Sequence, residues 1–147
     1  MWRSLVTRPS WTRYFLDLAR AASTRATCDR LHVGVVLVRD KQVLATGFNG
    51  SLPGAPHCDD VGHQLDGNGA CVRTSHAEAN AVASAARRGI SLDGATAYLT
   101  DSPCRTCARL LVMAGVTSIV YERQYRLTEH LDELRAVGVT VVRFDGA

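Results

Sequence analysis

At 147 residues, with 46% hydrophobic and 21% charged side chains, the chain has the composition of one ordinary globular domain. It has no 18-residue apolar run to span a bilayer, and residues 1–10 lack the apolar stretch of a signal peptide, so a cytoplasmic protein with no membrane partner is expected. The formal charge of +3 is uneven: residues 1–30 hold six arginines against Asp17 and Asp29, which suits either a phosphate-bearing ligand or a solvated basic face. Residues 1–9 are expected to be flexible. Ser10 is placed to cap a helix from 11 to about 24, with Trp11, Phe15, Leu18 and Ala22 on one stripe. Residues 33–39 form a β-branched run and 42–46 a second strand, joined by a turn at Asp40-Lys41. A polar stretch rich in Gly, Pro, Asp and His follows over 48–74. Ser75 is expected to cap a helix over 76–88 that Gly89 ends. Residues 95–100 read as a strand, and Pro103 as the first turn of a helix reaching 113–115. A strand over 117–121, a helix over 128–137 and a strand over 139–144 complete the chain. The order α-β-β-α-β-α-β-α-β predicts one α/β domain over 1–147, a mixed sheet with helices on both faces.

Five cysteines cannot all pair, and in a reducing compartment they point to metal or catalysis. Two motifs, each opening a predicted helix, carry that chemistry: His76-Ala77-Glu78 and Pro103-Cys104-Arg105-Thr106-Cys107. Cysteines three apart on a helix share one face, so both sulfurs can reach one ion. With the His76 imidazole they make three ligands, the count of a catalytic zinc whose fourth position is left to water. Both helix N-termini favour the thiolate form. Glu78 can approach that water without being a ligand. It is thus placed as the proton shuttle of a hydrolytic deamination, from water to the ring N3 and on to the leaving ammonia. The combined H-x-E and P-C-x-x-C pattern is the general signature of zinc deaminases. The plainer alternative makes Glu78 a capping carboxylate and the cysteines a structural or redox pair.

At these residues the chain resembles the deoxycytidylate deaminase family, over roughly 11–144. The likeness is carried by Ser10-Trp11, Tyr14-Phe15, residues 25–28, Val33-Gly34, residues 45–50, Pro56-His57-Cys58, residues 71–74, 76–81 and 103–107. The resemblance implies a cytidine-deaminase-like three-layer α/β/α sandwich around a five-stranded mixed sheet. It implies His76, Cys104 and Cys107 as zinc ligands, Glu78 as acid and base, and conversion of dCMP to dUMP, which feeds thymidylate synthesis. Substrate contacts implied with it are Ala77, Asn49 to the deoxyribose, Arg25 to the phosphate and Tyr121. Asn49 also reads as a turn residue between glycines, Arg25 as a surface ion-pair partner and Tyr121 as a core-edge aromatic. The family usually has Tyr at Phe48 and Ser at Ala26, and Ala26 removes a natural phosphate contact beside Arg25. A homohexamer activated by dCTP and inhibited by dTTP is also implied, with the regulatory nucleotide near Gly47 and Gly50. Arg87 would transmit an interface shift to His76, and a stripe of Ala77, Ala81, Ser84, Ala85 and Arg88 would meet a neighbouring subunit.

Cys28, Cys58 and Cys71 are not used by that catalysis. Residues 48–74 are long for an unstructured connection, and a tetrahedral structural zinc would tie them down. His63 is the fourth ligand by likeness to microbial and phage relatives; His57 is the alternative, strained by its neighbour Cys58. Otherwise the three are inert thiols.

Other readings within the superfamily are deamination of dCTP, a 5-substituted dCMP, a nucleoside or a tRNA adenosine. A tRNA enzyme needs a basic surface well beyond its pocket, so no nucleic acid partner is expected. Nucleoside enzymes generally place Cys at position 76, and a riboflavin-pathway deaminase spaces its cysteines farther apart. A catalytically silent zinc module has no use for Glu78.

Overall fold

The structure, a computed structural model, describes residues 7–146; the flexible segment expected over 1–9 falls mainly on residues 1–6, which lie outside the described residues. Ser10 caps α1 (Trp11–Ser23), its hydroxyl accepting from the Arg13 N–H at 3.1 Å. The buried stripe differs from the expected one: Phe15, Leu16 and Ala19 are buried, whereas Trp11 is 54% exposed. The reason lies in Gly34, where a Cβ would collide with the Ala19 carbonyl; the glycine lets α1 close down on the sheet along its Ala19 side. Trp11 instead stacks on Phe15, with Lys41 over its ring.

β1 (Gly34–Arg39) and β2 (Gln42–Phe48) form the predicted hairpin. Asp40 and Lys41 both take positive φ, 51° and 60°, as a two-residue turn between twisted strands requires. With β3 (Thr96–Asp101), β4 (Ser118–Arg123) and β5 (Thr140–Arg143) they make a five-stranded sheet in the order β2-β1-β3-β4-β5. β1 is antiparallel to both its neighbours, and β3, β4 and β5 run parallel. Alternate side chains face opposite layers. Val36, Val38 and Tyr98 meet α1. Val35, Leu37, Ala97, Leu99, Ile119, Tyr121 and Val141 form the main core with α3 (Ala77–Arg88), α4 (Arg105–Met113) and α5 (Leu131–Ala136). This is the predicted α/β/α sandwich, and burial on both faces explains why β1 reads as an unbroken apolar run. Among the described residues no helix is long and apolar enough to cross a membrane.

Three local expectations are corrected. A four-residue helix, α2 (Cys58–Val61), interrupts the polar stretch. The N-cap of α3 is His76, with no side-chain cap bond, because Ser75 instead exchanges backbone hydrogen bonds with Gly50 at 2.9 and 3.2 Å. Pro103 stands before the N-cap of α4, which is Cys104, its sulfur accepting from the Cys107 N–H at 3.5 Å. Of the stripe expected to meet another subunit, Ala77, Ala81 and Ala85 are at most 1% exposed in the chain's own core, while Ser84 is half-buried and Arg88 exposed. Gly47 belongs to the same packing, since a Cβ there would run into the Ala77 carbonyl. Its missing side chain serves the approach of β2 to α3.

Candidate active site and second metal cluster

The two helix starts come together at the carboxyl end of β3. His76 Nδ1 lies 3.6 Å from Cys104 Sγ and 3.4 Å from Cys107 Sγ, and one ligand atom from each residue falls within 4.8 Å of the others. Both N-cap residues, His76 and Cys104, project where the positive ends of α3 and α4 converge, so the site favours anionic sulfur. A hydrogen bond from Cys107, with a second from His76, brings Cys104 down to about 3. The same sulfur–sulfur contact pushes Cys107 well up, and the contact with Cys104 raises His76. Three soft donors sharing protons this closely are a donor set suited to one cation, and they fit zinc.

Glu78 is 4% exposed on the first turn of α3 and faces the same cleft. Burial disfavours its charged form and raises it to about 7. A carboxyl poised near neutrality can take a proton and give it back.

The cleft encloses about 390 Å³. His76, Ala77, Glu78, Cys104 and Asn49 stand on its walls. Asn49 is also tied to its own turn: Oδ1 accepts from the Val33 N–H at 2.8 Å, and Nδ2 donates to the Leu31 carbonyl at 2.7 Å. Arg25, Tyr121, Gly47, Gly50 and Arg87 lie off the walls. Arg25 is exposed, Tyr121 is buried in the core, and Arg87 is exposed on the last turn of α3.

The cleft contains residues that the sequence reading missed. Arg30 and Arg126 bring positive charge to its walls. Asp101, 4% exposed, accepts from Thr100 Oγ1 at 2.7 Å and from Arg123 at 3.0 Å. Ser102 ties down the segment after β4, accepting from the Tyr125 N–H at 2.7 Å and donating to the Tyr125 carbonyl at 3.2 Å. Arg126 then takes a positive φ of 54°, its guanidinium 4.9 Å from the Tyr125 ring centre. A signal was available for all but Arg30: Asp101, Ser102, Tyr125 and Arg126 lie at or just beyond the ends of the parallel strands β3 and β4, and open α/β sheets bind ligands beyond the carboxyl ends of their strands.

The spare cysteines also converge. Cys28, Cys58, His63 and Cys71 can place four ligand atoms within 4.8 Å of one another. His63 Nδ1 is 3.5 Å from Cys28 Sγ, and Cys58 and Cys71 sulfurs are 3.5 Å apart. His63 Nε2 meets Asp29 Oδ1 at 2.9 Å, the carboxylate–histidine support typical of a metal ligand. His57 is excluded from the cluster by its bond to Thr27 Oγ1 at 3.0 Å. Burial, with Cys71 and Cys28 as acceptors, raises Cys58 to about 12. Burial would raise Cys71 too, but hydrogen bonds from the Arg73 and Gln64 backbone outweigh it and bring Cys71 to about 6. Three thiols and an imidazole in this arrangement fit a closed, four-coordinate zinc site.

Comparison with known proteins agrees with this geometry. The family described as the cytidine and deoxycytidylate deaminase zinc-binding region matches residues 9–123. ComE operon protein 2 of Bacillus subtilis is 40% identical over 91% of this chain and 71% of its own length. The deoxycytidylate deaminase of Mycobacterium phage D29 is 39% identical over 81% of this chain and 99% of its own. Among solved structures, the dCMP deaminase of cyanophage S-TIM5 in complex with dCMP and dUMP superposes with a TM-score of 0.80 at 29% identity, covering 95% of this chain and 100% of that one.

Proposed function

The chain belongs to the cytidine and deoxycytidylate deaminase family, and from that premise we propose that it hydrolyses dCMP to dUMP and ammonia. The observation that carries the reading is the His76, Cys104, Cys107 triad beside buried Glu78, in a cleft that also holds two arginines. His76, Cys104 and Cys107 would hold the zinc, whose chemistry would be to activate a water for attack at the amino-bearing ring carbon. Glu78 would take one proton from that water and deliver it to ring N3, then take the second from the newly added hydroxyl and pass it to the amino group, which leaves as ammonia while the oxygen stays on the ring. Its burial excludes bulk water and keeps its proton affinity near neutral, so the same carboxyl serves each transfer.

Arg30 and Arg126 are the residues placed to hold the 5′-phosphate; Arg25, named for that role from the resemblance, is off the walls of the cleft. A charged hydrogen bond contributes about 1.5–3 kcal/mol, so Arg30→Ala should raise KM for dCMP by roughly ten- to a hundredfold. KM for deoxycytidine, which has no phosphate, should not change, and Arg25→Ala should leave both near wild type. The test of substrate class is ammonia release from dCMP, dCTP, deoxycytidine and cytosine. The reading expects dCMP to be turned over best, and preference for the free nucleoside or base would refute it.

The same reading extends to cytoplasmic residence, where unpaired cysteines stay reduced, and to a homohexamer activated by dCTP and inhibited by dTTP. Arg87, exposed near the end of α3, is free to meet a neighbouring subunit. Gly50, bridged to Ser75 beside His76, is better placed than Gly47 to link a bound nucleotide to the site. A dCMP saturation curve that is sigmoidal and shifted by both nucleotides, with a hexameric mass by light scattering, is expected. A hyperbola indifferent to both nucleotides would remove the regulatory part.

A further inference from the structure

The second cluster is continuous with the substrate cleft. Two of its members, Cys28 and Cys71, form part of the cleft wall beside Arg30. Arg30 follows Cys28 by two residues, and its Nη1 donates at 2.9 Å to the carbonyl of Gly69, two residues before Cys71. The arginine is therefore held between two segments that each supply a sulfur to the cluster. The intervening Asp29 is tied to His63, and Thr27 accepts from the Asp59 N–H at 3.2 Å. Hydrogen bonds such as His57 to Thr27 and Arg73 to the Gly62 carbonyl also tie this loop, but it has almost no core: between residues 51 and 75, Cys58 is the one buried apolar side chain. A segment with no core of its own takes its order from cross-links, and binding metal there is folding free energy.

We propose that metal binding by Cys28, Cys58, His63 and Cys71 holds Arg30 in the cleft wall, so that occupancy of this cluster and binding of the nucleotide 5′-phosphate are coupled. The inference rests on the deaminase reading for the identity of the nucleotide. Coupling between two binding events is reciprocal: if the metal strengthens phosphate binding, phosphate must strengthen metal retention by the same factor.

The experiment uses the wild-type, zinc-loaded protein and follows chelator-driven zinc release with a metal indicator. Saturating dUMP, deoxyuridine or inorganic phosphate is present in parallel arms. The dUMP arm is expected to slow release of the second-cluster zinc by about fivefold or more, the lower end of ordinary allosteric couplings. Inorganic phosphate should slow it in the same direction. Deoxyuridine should not, and its arm accounts for the catalytic ion, which nucleotide and nucleoside cover alike. In Arg30→Ala the effect of dUMP on release should vanish. From the other side, Cys58→Ser removes a ligand that is not on the cleft wall. It should hold one zinc and bind dUMP several-fold more weakly by calorimetry, with deoxyuridine unchanged. If dUMP binds more tightly than deoxyuridine yet leaves zinc release unaltered, the coupling is wrong and the deaminase reading stands. If dUMP does not bind, both fall.

Discussion

Glu78→Gln is expected to keep the fold and both metal clusters while turnover of dCMP falls by about 10²–10⁴-fold, the ordinary worth of a general acid–base group. Gln matches Glu in size, so a site only 4% exposed is neither emptied nor overfilled. What is lost is the exchangeable proton. The loss should sit at the upper end because one carboxyl serves water, ring N3 and the amine in turn, with no second buried acid in hydrogen-bond contact to replace it: the other buried carboxyl on the cleft, Asp101, is occupied by Thr100 and Arg123. Steady-state turnover alongside zinc content is the check. A zinc-replete variant with turnover near wild type would mean that Glu78 only caps α3.

Cys107→Ala should have a still larger effect on activity. Cys107 is 4% exposed and supplies one of only three side chains in the catalytic cluster. Removing a mere supporting partner of a metal ligand costs roughly 10–100-fold in affinity or activity, and losing the ligand itself costs more. Deamination should drop to background, and zinc should fall from one ion in each of two clusters to the second cluster alone. Four ligands from Cys28, Cys58, His63 and Cys71 are untouched, so the variant should remain folded, with stability close to wild type. Elemental analysis with thermal unfolding checks both halves; full zinc content with retained activity would dismiss the triad.

The order of elements, the sheet and the catalytic triad were legible in the sequence because each is a local pattern. Val35 to Val38 is a run of β-branched and aliphatic side chains, Asp40-Lys41 is a turn, and the two metal motifs are each contained within a few residues. The two motifs, and then the resemblance to a known family, pointed to roles for His76, Glu78, Cys104 and Cys107 before any geometry. What failed was longer in range. The buried side of α1 turns on Gly34, in a different element, and the close packing of Gly47 against α3 is likewise a contact between elements. Arg25 and Arg30 are both arginines on one short segment. Only the fold distinguishes them, by setting Arg30 on the cleft wall and bonding it to Gly69 across the loop. Asp101, Ser102, Tyr125 and Arg126 come from the ends of two adjacent strands, so they become a group only once β3 and β4 are paired. Asp29 behind His63 is likewise a contact between distant segments.

The most direct measurement of the central claim is the fate of dCMP incubated with the zinc-loaded protein in heavy-oxygen water, with the product weighed by mass spectrometry and ammonia counted in parallel. Hydrolytic deamination predicts dUMP that carries a single solvent-derived oxygen on its ring, formed in step with an equal amount of ammonia and slowed by about 10²–10⁴-fold in Glu78→Gln. Unchanged dCMP from protein whose catalytic cluster holds its zinc would contradict the account.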